Sequence, residues 1–227
     1  MKKRICCFIL AFILIAICQA GCGKKDNGMK KVVLNEVAHS IFYAPQYVAI
    51  EMGYFKDAGI DLVLETGFGA DKTMTALISG NADIGFMGSE STIYAYAEGS
   101  KDYAVNFAGL TQRAGNFLVA REKIDNFSWD MVKGKNVLGG RKGGMPQMVL
   151  EYILKANNID PASDLSIDQS VDFGLTAGAF SGNTEYDFTV EFEPGATNLE
   201  KEGSGYVVAS LGVDSGYVPY TAFSAKE

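Results

Sequence analysis

Cysteine is absent from nearly the whole chain, and histidine is almost absent as well. The cysteines all lie within the first 22 of 227 residues, as Cys6, Cys7, Cys18 and Cys22, and the one histidine is His39. A disulfide framework, a cysteine-ligated metal and a cysteine nucleophile are therefore excluded from the body of the chain. A Ser-His-Asp triad would have to use His39, and no Gly-x-Ser-x-Gly elbow surrounds any serine. The sequence thus favours a role without catalytic residues, a metal or a cofactor.

Positive charge is also in short supply. The chain has 20 basic and 27 acidic residues, a formal net charge of −7, and its body contains no basic run. Nucleic acid is therefore a poor candidate for a partner, because its phosphates require a positive stripe on the protein. The composition is otherwise 48% hydrophobic and 21% charged, which excludes disordered, collagen-like and coiled-coil chains. At this length we expect one large domain or two small lobes.

The N-terminal apolar run is too short for a typical membrane span. It covers 14 residues, 5–18, after three basic residues, whereas a spanning helix needs about 20. This arrangement predicts a signal peptide over residues 1–21, with an uncleaved signal anchor as the alternative. Ala20-Gly21-Cys22 resembles a bacterial lipobox. That resemblance implies that Cys22 is lipidated and that residues 22–29 tether the body to a membrane.

The body itself alternates short apolar runs with helix-like segments, which indicates a parallel α/β architecture. The pattern predicts strands over residues 32–34, 61–65, 83–86, 105–110, 117–121, 136–138, 186–191, 206–210 and 221–225. It predicts helices over residues 45–52, 71–79, 90–98, 146–157 and 195–202. The most amphipathic helix, 146–157, has a predicted apolar face of Met148, Val149, Tyr152, Ile153 and Ala156.

A weak internal repeat indicates two related halves. Ser79-Gly80-Asn81 leads through Asp83 into one predicted strand, and Ser181-Gly182-Asn183 leads through Asp187 into another. Each of these strands runs to a polar turn.

Three turns rich in glycine or serine precede predicted helices, at residues 67–69, 88–92 and 139–144. They lack the third glycine of a dinucleotide fingerprint and the Gly-Lys-Ser/Thr ending of a P-loop. Free N–H groups at helix N-termini favour an anionic or polar ligand atom, so each turn is either part of a shared cleft or an ordinary connection. Aromatic residues typical of a small-molecule pocket cluster near these turns, namely Phe42, Tyr43, Phe68, Phe173 and Phe192.

Five segments of residues 31–227 carry a pattern that is specific when they are taken together. They are residues 43–61 (YAPQYVAIEMGYFKDAGID), 76–85 (ALISGNADIG), 134–146 (Gly-Lys to Gly-Met-Pro), 192–194 (Phe-Glu-Pro) and 218–226 (VPYTAFSAK). The pattern resembles type II substrate-binding proteins of ABC importers, in the branch that serves nitrate, sulfonates, taurine and thiamine-pyrimidine precursors. This resemblance implies an α/β, two-lobed periplasmic-binding-protein-like fold. It implies a first lobe over residues 30–113, a second over 114–219, and a return to the first lobe over 220–227. Because family members continue with further helices, the resemblance also implies a chain truncated at its C-terminus.

The resemblance further implies a lipid-anchored receptor on the extracytoplasmic face of a bacterial membrane. Such a receptor is not an enzyme; it closes on a small polar solute and delivers it to an ABC permease with its ATPase. The ligand-binding residues implied by the match are His39, Ser40, Phe42, Tyr43, Gly88, Ser89, Gly143, Gly144, Met145, Phe192 and Glu193. Arg113, at the first crossing between the lobes, either meets an anionic ligand or lies on the surface. His39 is likewise either a ligand contact or a solvated loop residue.

Two other functions are compared with this one. A thiamine-pyrimidine synthase is similar in the opening segment, but it relies on a cysteine-rich motif that the body lacks. A surface sensor without a transport role stays open as a third interpretation. The ligand also stays open, because the turns favour a sulfonate-like or nitrate-like anion, whereas the aromatic set and Glu193 favour a planar pyrimidine.

Overall fold

The computed structural model describes residues 28–99, 101–172 and 174–227 and builds them around two five-stranded sheets. The first sheet has the order β2-β1-β3-β10-β4, with β1 (Lys30–Glu36), β2 (Ile60–Thr66), β3 (Ile84–Gly88), β4 (Ala104–Thr111) and β10 (Thr221–Lys226). The second has the order β7-β6-β8-β5-β9, with β5 (Asn116–Ala120), β6 (Asn136–Leu138), β7 (Ser166–Asp168), β8 (Phe188–Phe192) and β9 (Tyr206–Ser210).

Helices connect the strands in both sheets. They are α1 (Ala44–Glu51), α2 (Tyr54–Asp57), α3 (Ala70–Ile78), α4 (Glu90–Ala97), α5 (Met145–Ala156), α6 (Thr176–Gly182), α7 (Gly195–Lys201) and α8 (Leu211–Asp214). Short 3-10 turns cover Ile41–Tyr43 and Trp129–Val132. Residues 31–227 form one compact unit.

The two sheets share one topological plan. In the first, β3 runs parallel to β1 and antiparallel to β10, which arrives from the far end of the sequence. In the second, β8 runs parallel to β6 and antiparallel to β5. Parallel neighbours place their carboxyl ends at one edge of a sheet, and this edge is where ligands bind in open α/β folds.

The internal repeat seen in the sequence has a structural counterpart at two aspartates. Asp83 precedes β3, and its carboxylate accepts a 2.8 Å hydrogen bond from the Val33 backbone N–H. Asp187 precedes β8, and its carboxylate accepts a 2.9 Å hydrogen bond from the Asn136 N–H. In both cases the aspartate N–H also donates to the carbonyl of the same strand residue, at 2.9 Å. Each aspartate therefore fixes the start of a parallel strand pair in the same way.

Apolar side chains fill the space between each sheet and its helices. Around the second sheet, Leu118, Val137 and Val190 pack against the α5 residues Leu150 and Ile153, all buried. Around the first sheet, the buried residues form two smaller clusters, which contain Met74, Leu77, Met87 and Ala104 in one and Leu34, Tyr43 and Phe86 in the other.

All fourteen predicted helices and strands are present within a few residues of their predicted bounds. The pattern missed four short elements, namely β7, which has three residues, α6, whose segment has few large apolar side chains, and the four-residue helices α2 and α8. The predicted apolar face of α5 was partly wrong, because Met148 and Tyr152 are exposed while Leu150 and Leu154 are buried. Met148 lies next to α4, where the Tyr94 hydroxyl contacts its Sδ at 3.1 Å.

Two sets of predictions concern parts of the chain outside this description. The signal peptide over residues 1–21 and the lipidated Cys22 lie outside the described residues, as does Phe173. Within the described residues, no helix combines the length and the apolar character needed to cross a membrane.

Candidate functional site

A cleft of about 1020 Å³ lies where the carboxyl ends of the parallel strands from the two sheets meet. The first sheet contributes the segments after β1 and β3, including His39, Ser40 and Glu90. The second sheet contributes the turn before α5 with the first residues of that helix, 140–146, and the end of β8 with the residues that follow it, 190–195. The volume suits a small organic solute, since ligand pockets measure roughly 300–1,000 Å³.

Two connections between the sheets run side by side behind the cleft. One covers residues 112–115 and the other residues 215–220. The Val218 N–H donates to the Gln112 carbonyl at 3.0 Å, and the Tyr220 N–H donates to the Thr111 carbonyl at 3.1 Å. A paired crossing of this kind restrains the sheets at one side while leaving the cleft side free of covalent links.

Glu36 organises the His39 side of the cleft. This carboxylate is fully buried at the end of β1 and accepts hydrogen bonds from four side chains. The donors are His39 Nδ1 at 2.8 Å, Gln46 Nε2 at 3.0 Å, Tyr47 Oη at 2.8 Å and Thr66 Oγ1 at 3.2 Å. The hydrogen bond from Nδ1 fixes the orientation of the imidazole. The centroid of this ring lies 4.3 Å from that of the Tyr47 ring, and the two planes are tilted by 32°. The His39 side chain is 66% exposed, so its Nε2 edge is accessible to a ligand.

Glu90 is a buried carboxyl group without hydrogen-bond partners. It stands at the first position of α4, its side chain is 2% exposed, and neither carboxyl oxygen accepts a hydrogen bond. The carboxyl group folds back over Gly88, where a Cβ would overlap it, so the glycine leaves the space that the carboxyl occupies. Burial raises the pKa of Glu90 to about 7, and the nearby backbone N–H groups of Glu90 and Met145 offset only part of this rise because they do not reach hydrogen-bond geometry.

Glu191 is a second buried carboxyl group, on β8. It is 4% exposed, and one carboxyl oxygen accepts a 2.9 Å hydrogen bond from Thr189 Oγ1. Burial raises its pKa to about 7, against the hydrogen bonds from Thr189 and Thr176, which lower it. The cleft therefore contains one buried carboxyl group from the first-sheet side and one from the second-sheet side.

Aromatic rings connect the two sides at the back of the cleft. The ring centroid of Phe42 lies 5.6 Å from that of Phe192 and 5.6 Å from that of Tyr220. The centroids of Phe192 and Tyr220 are 6.4 Å apart. Tyr43 is 3% exposed, and burial raises its pKa to about 12. The Tyr220 hydroxyl is buried and has no hydrogen-bond partner. Of these rings, Tyr43, Phe192 and Tyr220 line the cleft directly.

An ion pair spans the cleft between Arg141, in the loop after β6, and Asp71, in the first turn of α3. Nη1 of Arg141 lies 2.8 Å from Asp71 Oδ1, and Nη2 lies 3.1 Å from Oδ2. Arg141 Nε also lies 3.4 Å from Asp172 Oδ1. These contacts join a residue of the second-sheet side to one of the first-sheet side.

The lining is acidic. It includes five carboxyl groups, from Asp71, Glu90, Glu98, Glu191 and Glu193, and two permanently charged cations, Arg141 and Lys142. Arg141 is already paired with two aspartates, and Lys142 is exposed. Among the residues that line the cleft, no buried cation faces its interior.

Nine of the twelve predicted ligand-binding residues line this cleft. They are His39, Ser40, Tyr43, Gly88, Gly143, Gly144, Met145, Phe192 and Glu193. The Glu193 carboxylate is engaged locally, because it accepts hydrogen bonds from Thr197 N at 3.1 Å and Thr197 Oγ1 at 2.9 Å and so caps α7.

The remaining three predicted ligand-binding residues lie outside the lining, close to the connections between the sheets. Phe42 packs behind Phe192 and Tyr220. Ser89 Oγ donates to the Pro219 carbonyl at 2.5 Å. Arg113 donates to the Gly212 carbonyl at 2.8 Å, and its guanidinium lies 4.2 Å from the centroid of the Tyr217 ring. Phe68, from the wider aromatic set, is 61% exposed and also lies outside the lining.

Sequence reasoning missed the two buried carboxyl groups. Glu90 follows Gly88-Ser89 at a helix start, where an acidic residue is ordinary because it complements the helix dipole. Glu191 was the more visible of the two, since it is the one charged residue in the buried strand Phe188–Phe192. Within the described part of the chain, no group of three or more His, Cys, Asp or Glu side chains is arranged to hold a metal ion.

Residues 41–190 match the family described as NMT1/THI5 like. A protein of Bacillus subtilis (strain 168), "Putative binding protein YtlA", is 50% identical over 227 residues, which is 100% of this chain and 67% of that protein.

Solved structures of binding proteins share the fold. The alkanesulfonate-binding protein SsuA from Xanthomonas axonopodis pv. citri, bound to MOPS, has a TM-score of 0.66 at 18% identity over 87% of this chain and 65% of its own. The periplasmic nitrate-binding protein NrtA from Synechocystis PCC 6803 has a TM-score of 0.68 at 18% identity over 87% of this chain and 56% of its own. The chain thus spans between 56% and 67% of the length of these relatives.

These matches confirm the predicted two-lobed α/β fold of type II periplasmic binding proteins and the predicted resemblance to their sulfonate and nitrate branch. The relatives are named as binding proteins and not as enzymes, in agreement with the prediction that this chain is not an enzyme. By the match over residues 41–190 and by its identity to the Bacillus subtilis protein, the chain belongs to the NMT1/THI5-like family.

Proposed function

We propose that this chain is the substrate-binding component of an ABC importer and that it captures a small polar solute between its two sheets. The observation that carries the proposal is the cleft of about 1020 Å³, lined by the carboxyl ends of strands from both sheets. In the proposed mechanism the chain breaks no bond. The solute contacts both walls, so it is bound most tightly when the cleft is closed.

The proposal assigns a role to each part of the chain. Residues 30–113 and 114–219 are the two lobes, and residues 220–227 return to the first. The connections 112–115 and 215–220 are the hinge, and their antiparallel, side-by-side course supports this assignment, as does the hydrogen bond from the Val218 N–H to the Gln112 carbonyl. Motion at the hinge would change the separation of Arg141 and Asp71, which meet across the cleft.

The partners follow from the same role. We propose that the chain acts at the extracytoplasmic face of a bacterial membrane, anchored by lipid on Cys22, and that it delivers its solute to a permease with an associated ATPase. Related structures named as periplasmic binding proteins support the extracytoplasmic location. The lipid anchor is supported by the lipobox-like sequence Ala20-Gly21-Cys22.

A thermal-shift screen of the purified chain tests the binding role. The solutes are taurine, alkanesulfonates, nitrate, bicarbonate, aminopyrimidines and simple organic amines. A solute at 100 times its Kd stabilises the folded state by about 2.7 kcal/mol. At 2–4 °C per kcal/mol for a chain of this size, the expected rise in Tm is roughly 5–10 °C.

A cleft-blocking variant makes the screen specific. Asn198 lines the cleft from α7 and is exposed, so Asn198→Trp introduces a large ring into the ligand space. Lys201→Trp, on the same helix but outside the lining, is the matched control. Binding should be lost in Asn198→Trp and kept in Lys201→Trp. If no solute in the panel shifts the Tm of the wild-type chain, the receptor role is contradicted.

A further inference from the structure

The buried carboxyl groups of the cleft carry an inference about the solute, which rests on the proposed role as a solute receptor. Glu90 is 2% exposed and lines the cleft, yet neither of its oxygens accepts a hydrogen bond. Buried polar groups are nearly always paired, and an unpaired carboxylate is among the most costly groups to bury. The cost of burying this group is relieved either by a donor on a molecule that enters the cleft, which stabilises the carboxylate, or by protonation, which removes its charge.

The charges of the other lining residues favour a solute whose hydrogen-bond donor is positively charged. Glu191 adds a second buried carboxyl group, and the lining contains five carboxyl groups in total. The two permanent cations cannot balance this charge for an anionic solute, because Arg141 is held by Asp71 and Asp172 and Lys142 is exposed. A nitrate or sulfonate group would therefore meet like charge inside the cleft, which disfavours its binding.

Aromatic rings in the same cleft provide surfaces that would contact the body of a cationic solute. Tyr43, Phe192 and Tyr220 line the same cleft, and the buried Tyr220 hydroxyl has no partner. Aromatic faces bind both apolar bodies and organic cations. A carboxylate next to aromatic walls thus suits a cationic nitrogen group on a small apolar body.

We propose that the cleft selects solutes that carry an ammonium or amidinium group on a small apolar or planar body, with the Glu90 carboxylate accepting their N–H groups. Glu191 supplies the opposing negative charge on the second-sheet side. Tyr43, Phe192 and Tyr220 contact the body of the solute. The acidic lining of this cleft therefore differs from the positively charged lining expected of a site for a sulfonate or nitrate.

The expected pH dependence follows from the groups around Glu90. The titratable side chains that face it are Tyr43 and Tyr220, and burial raises the pKa of each above its usual value, so both stay neutral near pH 7. Glu90 itself, with a pKa raised by burial to about 7, is mainly ionised at pH 8 and mainly protonated at pH 6. A cationic ligand needs the ionised form, so its affinity should fall at least tenfold from pH 8 to pH 6, and further where Glu191, whose pKa burial also raises to about 7, takes up a proton in the same range. An anionic ligand that accepts a hydrogen bond from the O–H of protonated Glu90 would show the opposite trend.

Probes with one body and different head groups test the proposal. Benzamidine and benzylamine carry the proposed cationic group, benzenesulfonate carries an anionic group, and benzyl alcohol is neutral. Isothermal titration calorimetry with the purified chain at pH 8 and pH 6 gives the four affinities. We expect benzamidine or benzylamine to bind at least tenfold more tightly than benzenesulfonate at pH 8, and more weakly at pH 6.

Charge-removing variants locate the interaction. Glu90→Gln and Glu191→Gln should each weaken binding of the cationic probe by tenfold or more, whereas Glu51→Gln, an exposed change on α1 outside the lining, should leave it unchanged. Glu90→Gln remains informative if Glu191→Gln fails to fold, and the pH dependence of the wild-type chain needs no variant.

The two proposals fail in distinguishable ways. Binding of benzenesulfonate as tight as that of the cationic probes, or tighter binding at pH 6, overturns the ligand class but leaves the receptor role intact. The ligand class is also overturned if Glu90→Gln and Glu51→Gln bind the cationic probe equally well. If neither these probes nor the wider solute panel binds the chain, both proposals are overturned.

Discussion

Arg141 and Asp71 meet across the cleft in a two-contact ion pair, with Nη1···Oδ1 at 2.8 Å and Nη2···Oδ2 at 3.1 Å. The arginine follows β6 of the second sheet, and the aspartate belongs to α3, which packs against the first. The pair therefore links two parts of the chain that move relative to one another if the cleft opens. Its side chains are 31% and 62% exposed, so solvent screens the interaction.

This ion pair should contribute modestly to the free energy of unfolding. A double-mutant cycle with Asp71→Asn and Arg141→Gln should give a coupling energy of about 0.5–1 kcal/mol at low salt, in the range of exposed ion pairs. The coupling should fall as the ionic strength rises. Chemical denaturation of the four chains measures it, and Asp172→Asn is the control for the second carboxylate on Arg141. A coupling energy of zero at low salt would show that the ion pair does not contribute to the free energy of unfolding.

Glu90 should make the ligand-free chain less stable as the pH rises. Its pKa is raised to about 7 in the folded chain, whereas the unfolded chain loses the proton near pH 4.5. Between these two values the folded state holds the proton more tightly, so the free energy of unfolding falls as the pH rises. The full effect is at most about 3 kcal/mol, reached above pH 7. The measurement is the Tm of the ligand-free chain from pH 4.5 to pH 8, and the contribution of Glu90 should lower this Tm as the pH rises.

Glu90→Gln isolates this contribution. The variant should be close to wild type in stability at pH 5, and more stable by about 2 kcal/mol at pH 8, because no charge then has to be buried. Glu51→Gln, which removes an exposed charge, should keep the wild-type pH dependence. Equal pH profiles for Glu90→Gln and wild type would contradict the burial of an ionisable group at this position.

Gly115 should not tolerate a side chain. A Cβ at this position would overlap the ring of Phe42, which is itself held between Phe192 and Tyr220. Overpacking of this kind costs about 1–3 kcal/mol, so Gly115→Ala should lower the Tm by several degrees. Gly178→Ala, in α6 with open space around its Cα, should be neutral or slightly stabilising. The prediction fails if both variants melt at the wild-type temperature.

The main features of the fold could be predicted because hydrophobic periodicity records local structure. The strand from residue 83 and the strand from residue 186 were visible, and the repeat around Asp83 and Asp187 indicated their equivalence. The pairing of β10 between β3 and β4 is a different matter, since more than 100 residues separate these strands. The family resemblance implied the return of residues 220–227 to the first lobe, but neither it nor the pattern of the chain predicted this pairing.

The candidate site was predictable where it is made of backbone turns. Gly88, Gly143 and Gly144 precede helices, and turns at such positions indicated a shared cleft as one of two interpretations, whereas Met145 was implied by the family resemblance. The side chains that define its charge were missed, because the burial of Glu90 and Glu191 depends on contacts from other elements. The sequence left Arg113 open between an anion contact and a surface position, and in the structure it donates to the Gly212 carbonyl and lies outside the cleft lining.

Hydrogen–deuterium exchange of the chain with and without a stabilising solute tests most directly whether ligand binds between the two sheets. The account predicts that exchange slows on both walls together, in residues 89–98 after β3 and in residues 140–146 at the start of α5. Protection confined to one wall, or protection only at surfaces away from the cleft, would contradict a solute held between the sheets.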